Sequence, residues 1–307
     1  MTSLTIWSVF FRRILSTYCA SDKNRIIPAA ISQLPRHQCT FGLSSFSTEL
    51  SQIQELRNKL SKHQPLSPDQ RQRLAQNVRI DHVWSSNAIE GSPLSRAETA
   101  TILNSGITAA DAANTATVEA IDLNEAYVYM MALAQGDRPV VITHALMRDL
   151  NRLLTRHTTI PQSAAGVYRS IDVWPNGSED RPYTAPFEIR PQLDALLQWA
   201  DSAQQTASPI IFAADLHQRF VAIHPFIDGN GRTSRLLMNL VLVNAGYPVI
   251  NILPDTANRN AYIAALETAR GGDPEPFERL IAAYVKRALV YANNAVVANG
   301  NNKGADQ

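Results

Sequence analysis

From residue 67 onward the apolar positions fall at helical spacing, and capping residues interrupt them at short intervals. Ser67-Pro68-Asp69-Gln70 offers an N-cap serine, a first-turn proline and a glutamine that completes a capping box. The helix it opens runs through Leu74, Val78, Ile80 and Val83 to about Ile89, and Gly91 suits its C-terminal cap. Ser95 with Glu98 makes a second box ahead of a short helix ending near Gly106. Residues 109–135 are Ala-rich and lack Gly and Pro, which predicts one long buried helix. Thr143 caps another through Leu146, Leu150 and Leu153. Further helices are expected from Pro191, from Pro209, from Arg232, near Asn258 and near Pro274.

Residues 166–188 break this rhythm. Val167, Tyr168 and Val173 alternate with polar positions, and Pro175-Asn176-Gly177 supplies a turn, the pattern of a small β-hairpin or flap. The expected fold is therefore all-α, a helical bundle with a small β-hairpin flap, and no repeat of fixed period runs through it. The chain divides into a flexible N-terminal extension (1–48), N-terminal helices (49–106), a core (107–295) and a disordered Asn- and Gly-rich tail (296–307).

Composition narrows the function classes. Hydrophobic residues make up 45% and charged residues 18%, which suits a well-buried core. The formal net charge of +1 gives no basic field that would argue for nucleic acid as a partner. No stretch reaches the roughly 18–20 apolar residues of a membrane span. The two cysteines, Cys19 and Cys39, both precede the core, so core chemistry falls to His, Asp, Glu, Arg and backbone amides. Residues 1–48 hold five Lys or Arg, one acid and thirteen Ser or Thr. That bias is shared by organelle transit peptides, mitochondrial ones included, and by plain tails of cytoplasmic proteins or non-native sequence ahead of a later start.

The chemistry concentrates in His224-Pro225-Phe226-Ile227-Asp228-Gly229-Asn230-Gly231-Arg232-Thr233-Ser234-Arg235, between two apolar helices. Gly229-Asn230-Gly231 can turn successive N–H groups into an anion-binding nest, and the following helix adds the positive end of its dipole. Arg232 and Arg235 place two cations on one helical face. Asp228 is a hard oxygen ligand where a phosphate-bound Mg²⁺ could sit. His224, at the rim, suits proton abstraction near neutral pH. Together these residues make a polyphosphate cradle with a base beside it. Upstream, Ser86 and Glu90 lie four apart on one helical face, where the dipole disfavours a carboxylate and an Arg partner would favour it.

The twelve-residue segment resembles the signature of the Fic (Fic/DOC) family, His-x-Phe-x-Asp/Glu-Gly-Asn-Gly-Arg-x-x-Arg, at every fixed position. The likeness extends over about 65–290 and is similar to the catalytic domain of animal FICD-type members. It implies a protein adenylyltransferase that moves AMP from ATP to a Ser, Thr or Tyr hydroxyl of a target protein, with ATP as substrate and Mg²⁺ as cofactor. His224 would be the general base and Asp228 the metal ligand. Asp228, Gly229, Asn230, Gly231, Arg232, Thr233, Ser234 and Arg235 would hold the nucleotide. Gly166-Val167-Tyr168-Arg169 with Val173 and Trp174 resembles the flap that lays target peptide by strand addition, and Val173 and Trp174, with Pro175, would also bind the nucleotide. Tyr262 and Ile263 resemble the helix lining the adenine pocket. Ser86-Asn87-Ala88-Ile89-Glu90-Gly91 resembles the inhibitory motif, in which Glu90 would pair with Arg235 and occupy the γ-phosphate position. Self-modification and a homodimer are also implied.

The same resemblance leaves other reactions open. The site could remove AMP from modified protein through water positioned by Glu90, or transfer UMP, phosphocholine or phosphate. A non-enzymatic nucleotide sensor is the alternative of another class, opposed by the intact His224. A DNA-binding regulator would need a C-terminal winged helix, for which little chain remains after 290.

Overall fold

The computed structural model describes residues 40–62, 67–112, 114–136, 139–158, 161–175 and 181–301, with side chains from 46 to 295. Ten α-helices lie among them: α1 (Thr40–Lys62), α2 (Pro68–Ile89), α3 (Arg96–Ser105), α4 (Thr115–Ala134), α5 (His144–Thr155), α6 (Pro186–Thr206), α7 (Pro209–Ile223), α8 (Asn230–Asn244), α9 (Thr256–Arg270) and α10 (Glu275–Asn301). The chain forms two compact units, one of 66–288 and one that joins 289–301 to the described residues before 65. In the smaller unit Ile53 is fully buried and Asn293 Nδ2 donates to the Leu56 carbonyl at 3.1 Å.

Both capping boxes form as the sequence requires. Ser67 accepts from Gln70 N–H while the Gln70 side chain accepts from Ser67 N–H, and Ser95 and Glu98 repeat the arrangement. Gly91 takes φ +102° just after α2, and Gly106 closes α3 at φ +73°. Thr143 caps α5 through Leu146 N–H.

Several expectations change. The stretch 109–135 is not one helix: a 3₁₀ turn at Ala109–Asp111 precedes α4, because Asn114 caps a fresh start by accepting from Thr117 N–H. Pro191 lies inside α6; the helix opens at Pro186, whose ring occupies the first turn, where no N–H is needed. The helix expected from Arg232 starts two residues earlier, at Asn230. The flap is not a β-hairpin among the described residues. One hydrogen bond, Tyr183 N–H to Val173 O at 3.0 Å, joins its two arms, and side-chain bonds from Arg169 replace a ladder. Its turn residues Asn176 and Gly177 lie outside the described residues, as do 1–39, which include most of the N-terminal extension. Helix α1 begins at Thr40, and α10 runs through Asn301, past position 296, where the tail was expected to start.

The core of the larger unit is built on α7 and α8, which pack on each other, with α6 against α7 and with α4 and α5 against α8. Phe212, Leu216 and Phe220 of α7 are buried, as is a run of α8 containing Leu236, Leu237, Met238 and Leu240. Each such side chain stabilises the fold by about 1.5–3 kcal/mol through removal of apolar surface from water. The loop joining these two helices is therefore anchored at both ends in the most deeply buried part of the molecule.

Candidate active site

The α7–α8 loop is locked from within by Asn230. Its side-chain Oδ1 accepts from Phe226 N–H at 2.9 Å and its Nδ2 donates to Phe226 O at 2.8 Å, while Phe226 itself is buried. Asn151 of α5 braces the outside, donating to Asp228 O at 2.9 Å and accepting from Gly166 N–H at 3.0 Å. Gly229, at φ +77°, is the N-cap of α8 and supplies no side chain to the first turn. The N–H groups of Asn230, Gly231 and Arg232 thus lack intrahelical acceptors and carry the helix's positive end, a ready site for an anion.

Gly229 has no room for anything larger. A Cβ there would lie 2.5 Å from Leu154 Cδ1 and 2.8 Å from Thr155 Cγ2. Gly229→Ala should cost at least about 2 kcal/mol, from left-handed strain of about 1–2 kcal/mol plus the clash. A thermal melt should show a drop of roughly 4–8 °C for a unit of this size. An unchanged melting point would mean that the loop is slack.

Arg232 and Arg235 are both only 3% exposed, and their partners differ. Arg232 meets Asp228 Oδ2 at 3.0 Å and Glu119 at 3.4 Å. Asp228 keeps half of its side-chain surface open and also accepts from Gly229 N–H at 2.6 Å. Arg235 is held by α2: Nε donates to Ser86 Oγ at 2.8 Å, and Nη2 donates to Ser86 O at 2.9 Å and to Glu90 Oε1 at 2.7 Å. Behind it, Nη1 reaches the Tyr262 hydroxyl at 3.2 Å, and that hydroxyl contacts His217 Nε2 at 3.0 Å. Burial opposes ionisation of Glu90, but the charge and hydrogen bond of Arg235, helped by Arg232 and His224, outweigh it and hold the carboxyl below its usual range. Glu90 also lies directly over the loop, since a Cβ on Gly231 would fall 2.4 Å from its Oε1.

His224 ends α7 in the left-handed region, at φ 54° and ψ 58°. That is a costly conformation for a side-chain-bearing residue and occurs here where the ring must leave the helix line. Its Nδ1 faces Val221 O at 3.3 Å. A carbonyl only accepts, so Nδ1 carries the proton and Nε2 presents a lone pair. Burial lowers the pKa of the imidazole to about 4, so the ring is neutral at pH 7.

The structure thus brings His224, Asp228 and Gly229 of the α7–α8 loop together with Asn230, Gly231, Arg232 and Arg235 of the first turns of α8, and adds Ser86 of α2 and its C-cap Glu90. Thr233 and Ser234 are fully buried, their hydroxyls bonded to Asn151 and to Gly231 O, and Thr233 N–H is taken by Gly229 O at 2.8 Å. Tyr262 is buried beneath Arg235, whereas Ile263 is 40% exposed. Val173 and Trp174 sit on the first flap arm, Trp174 about half exposed. Sequence reasoning missed Asn151, His217 and Tyr183, and it placed Arg169 in the flap without its role. Arg169 is buried and donates from Nε to His224 O at 2.8 Å. These contacts span 15 to 82 positions of sequence and leave no local pattern.

Residues 141–242, which hold the whole loop, match a family model described as Fic/DOC family. A Nematostella vectensis protein named protein adenylyltransferase Fic is 32% identical over 242 residues, covering 78% of this chain and 54% of that protein. The Aedes aegypti protein of the same name is 31% identical over 211 residues, covering 68% and 41%. The chain spans about half the length of the curated relatives it matches. Among solved structures, Fic-1 from C. elegans superposes with a TM-score of 0.70 at 27% identity, covering 82% of this chain and 73% of that one. A Fic-domain signalling protein from Bacteroides thetaiotaomicron gives 0.69 at 27% identity, covering 80% and 98%. The chain belongs to the Fic/DOC family.

Proposed function

We propose that this chain is a protein adenylyltransferase, restrained by Glu90, that transfers AMP from ATP to a hydroxyl of a target protein. One observation carries the reading: a single twelve-residue segment holds a helix N-terminus with free N–H groups, the buried cation Arg235 and a neutral histidine whose Nδ1 faces the Val221 carbonyl. The name borne by the relatives at 31–32% identity supports it.

In this reading the triphosphate lies along the α8 N-terminus, with its γ-phosphate on Arg235 in place of Glu90. The target hydroxyl gives its proton to His224 Nε2 as its oxygen attacks the α-phosphorus. The new O–P bond forms as the Pα–O bond to the β-phosphate breaks, and pyrophosphate leaves. Charge growing on the phosphate oxygens meets the free N–H groups of Asn230 and Gly231, which need no reorganisation, whereas Gly229 N–H is already given to Asp228. Asp228 fits a Mg²⁺ ion that arrives with the nucleotide, because such ions take one or two carboxylates and complete their shell with phosphates and water. Its half-open carboxylate is the one acid of the loop, and no cluster of three ligating side chains lies among the described residues. The ion would supply charge neutralisation at the phosphates.

The test is a pair of labelling reactions with Glu90→Gly, Mg²⁺ and either α- or γ-labelled ATP, with lysate proteins present. Protein that retains the α label and not the γ label supports AMP transfer. Retention of the γ label would identify phosphate transfer instead.

A further inference from the structure

The base itself is held by a residue outside the loop. The Tyr183 ring lies flat on the His224 imidazole, with centroids 3.8 Å apart and planes 11° from parallel. We propose that Tyr183 is a positioning residue for His224: its stacked ring sets the plane of the imidazole and shields one face, so that Nε2 is directed along the remaining open edge toward the attacking hydroxyl. The inference rests on the assignment of His224 as general base.

Three features make the stack a built arrangement. The Arg270 guanidinium also lies over the Tyr183 ring, 4.8 Å from its centroid, so the phenol is held by a cation as well as by the imidazole. Arg270 Nη2 also donates to the carbonyls of Arg181 and Pro182, at 3.0 and 2.6 Å, which clamps the segment leading into Tyr183. Arg169 then ties this arm to the base. Its guanidinium donates to Ile171 O on the first flap arm, to Thr184 O next to Tyr183 and to His224 O. A buried cation satisfied by three carbonyls from three segments is costly to desolvate. Its presence here fixes the His224 backbone and both flap arms to one another.

An arrangement of this kind has a consequence that simple packing lacks. With Nδ1 committed to Val221 O and one face under Tyr183, the imidazole has little water around it, and burial is the largest influence keeping it neutral. The charged groups around it act in both directions. Arg169 from the flap and Arg270 from α9 oppose protonation, while Glu90 from α2 favours it. Tyr183 contributes as a neutral ring, since burial raises its own hydroxyl pKa. Removing the ring admits water to the imidazole face and leaves those three charges in place. The His224 pKa should then rise toward its ordinary 6.5.

The experiment is an NMR titration of the His224 Cε1–H resonance, assigned by its loss in His224→Ala, in the wild type, Tyr183→Phe and Tyr183→Leu. The other histidine resonances report whether each variant is folded. Tyr183→Leu should raise the His224 midpoint by roughly one pH unit or more, and Tyr183→Phe, which keeps the stacked ring, should leave it within a few tenths. Equal midpoints in all three folded proteins would overturn the proposal. The titration needs no turnover, so its outcome stands apart from whether AMP transfer is seen. Where Glu90→Gly supports transfer, adding Tyr183→Leu should lower kcat at unchanged KM for ATP, and Tyr183→Phe should restore it. A fall in ATP affinity with kcat preserved would instead place Tyr183 in the nucleotide site.

Discussion

Glu90→Gly should raise the rate of AMP transfer by about 10- to 100-fold. The carboxylate makes a charge-assisted hydrogen bond to Arg235 at 2.7 Å and stands over Gly231, so an incoming γ-phosphate must displace it. A charged hydrogen bond of this kind is worth about 1.5–3 kcal/mol, and each 1.4 kcal/mol is a factor of ten. Arg235 is not left bare by the substitution, because Ser86 Oγ, Ser86 O and the Tyr262 hydroxyl remain bonded to it. The cation should therefore stay in place to receive phosphate. The gain should also be steady across neutral pH. The folded-state pKa of Glu90 is depressed, so the ion pair is complete above the ordinary carboxylate range and is lost only as pH falls through the lowered value. Comparing the two rates from pH 6 to 8 checks this: a gain that shrinks toward pH 6 would mean that the carboxylate is already protonating, against the account.

His224→Ala on the Glu90→Gly background should reduce transfer by about 10²–10⁴-fold, the usual contribution of a positioned general base. Binding of ATP should change little, since the groups proposed to face the phosphates are backbone N–H groups and Arg235. The two quantities separate the base from a structural histidine. If His224 served only to end α7, alanine at its αL position would lower the melting temperature and weaken ATP binding together, because that turn sets the loop's course. A neutral His224 with a pKa near 4 adds that the acid limb of kcat/KM should lie below pH 6.5, and an acid limb at or above 6.5 would contradict a buried, neutral base.

Much of the site was legible because its parts are local. The nest, the cations three residues apart and the acid beside them share twelve positions, and the following helix follows from apolar spacing alone. The pairing of Ser86 and Glu90 was also legible, since residues four apart share a helical face, and both meet Arg235. What stayed hidden depends on long-range packing. Tyr183, 41 positions before His224 in sequence, reaches it only because Arg270 and Arg169 clamp its arm. The alternation in 166–188 looked like strands, yet a buried Arg169 satisfies carbonyls that a ladder would otherwise have used. Pro191 looked like a helix start because proline favours the first turn, but Pro186 already fills that place. Tyr262 was placed by resemblance at an adenine wall; the structure adds a hydroxyl that supports Arg235 from behind.

The central claim joins a base, a cradle and a brake in one site, and intact-protein mass spectrometry tests all three together. Wild type, Glu90→Gly and Glu90→Gly with His224→Ala are each incubated with ATP and Mg²⁺. The account predicts that Glu90→Gly alone gains the mass of AMP. A double variant that gains AMP as readily as Glu90→Gly would remove His224 from the chemistry, and a wild type that gains it as readily would remove the brake.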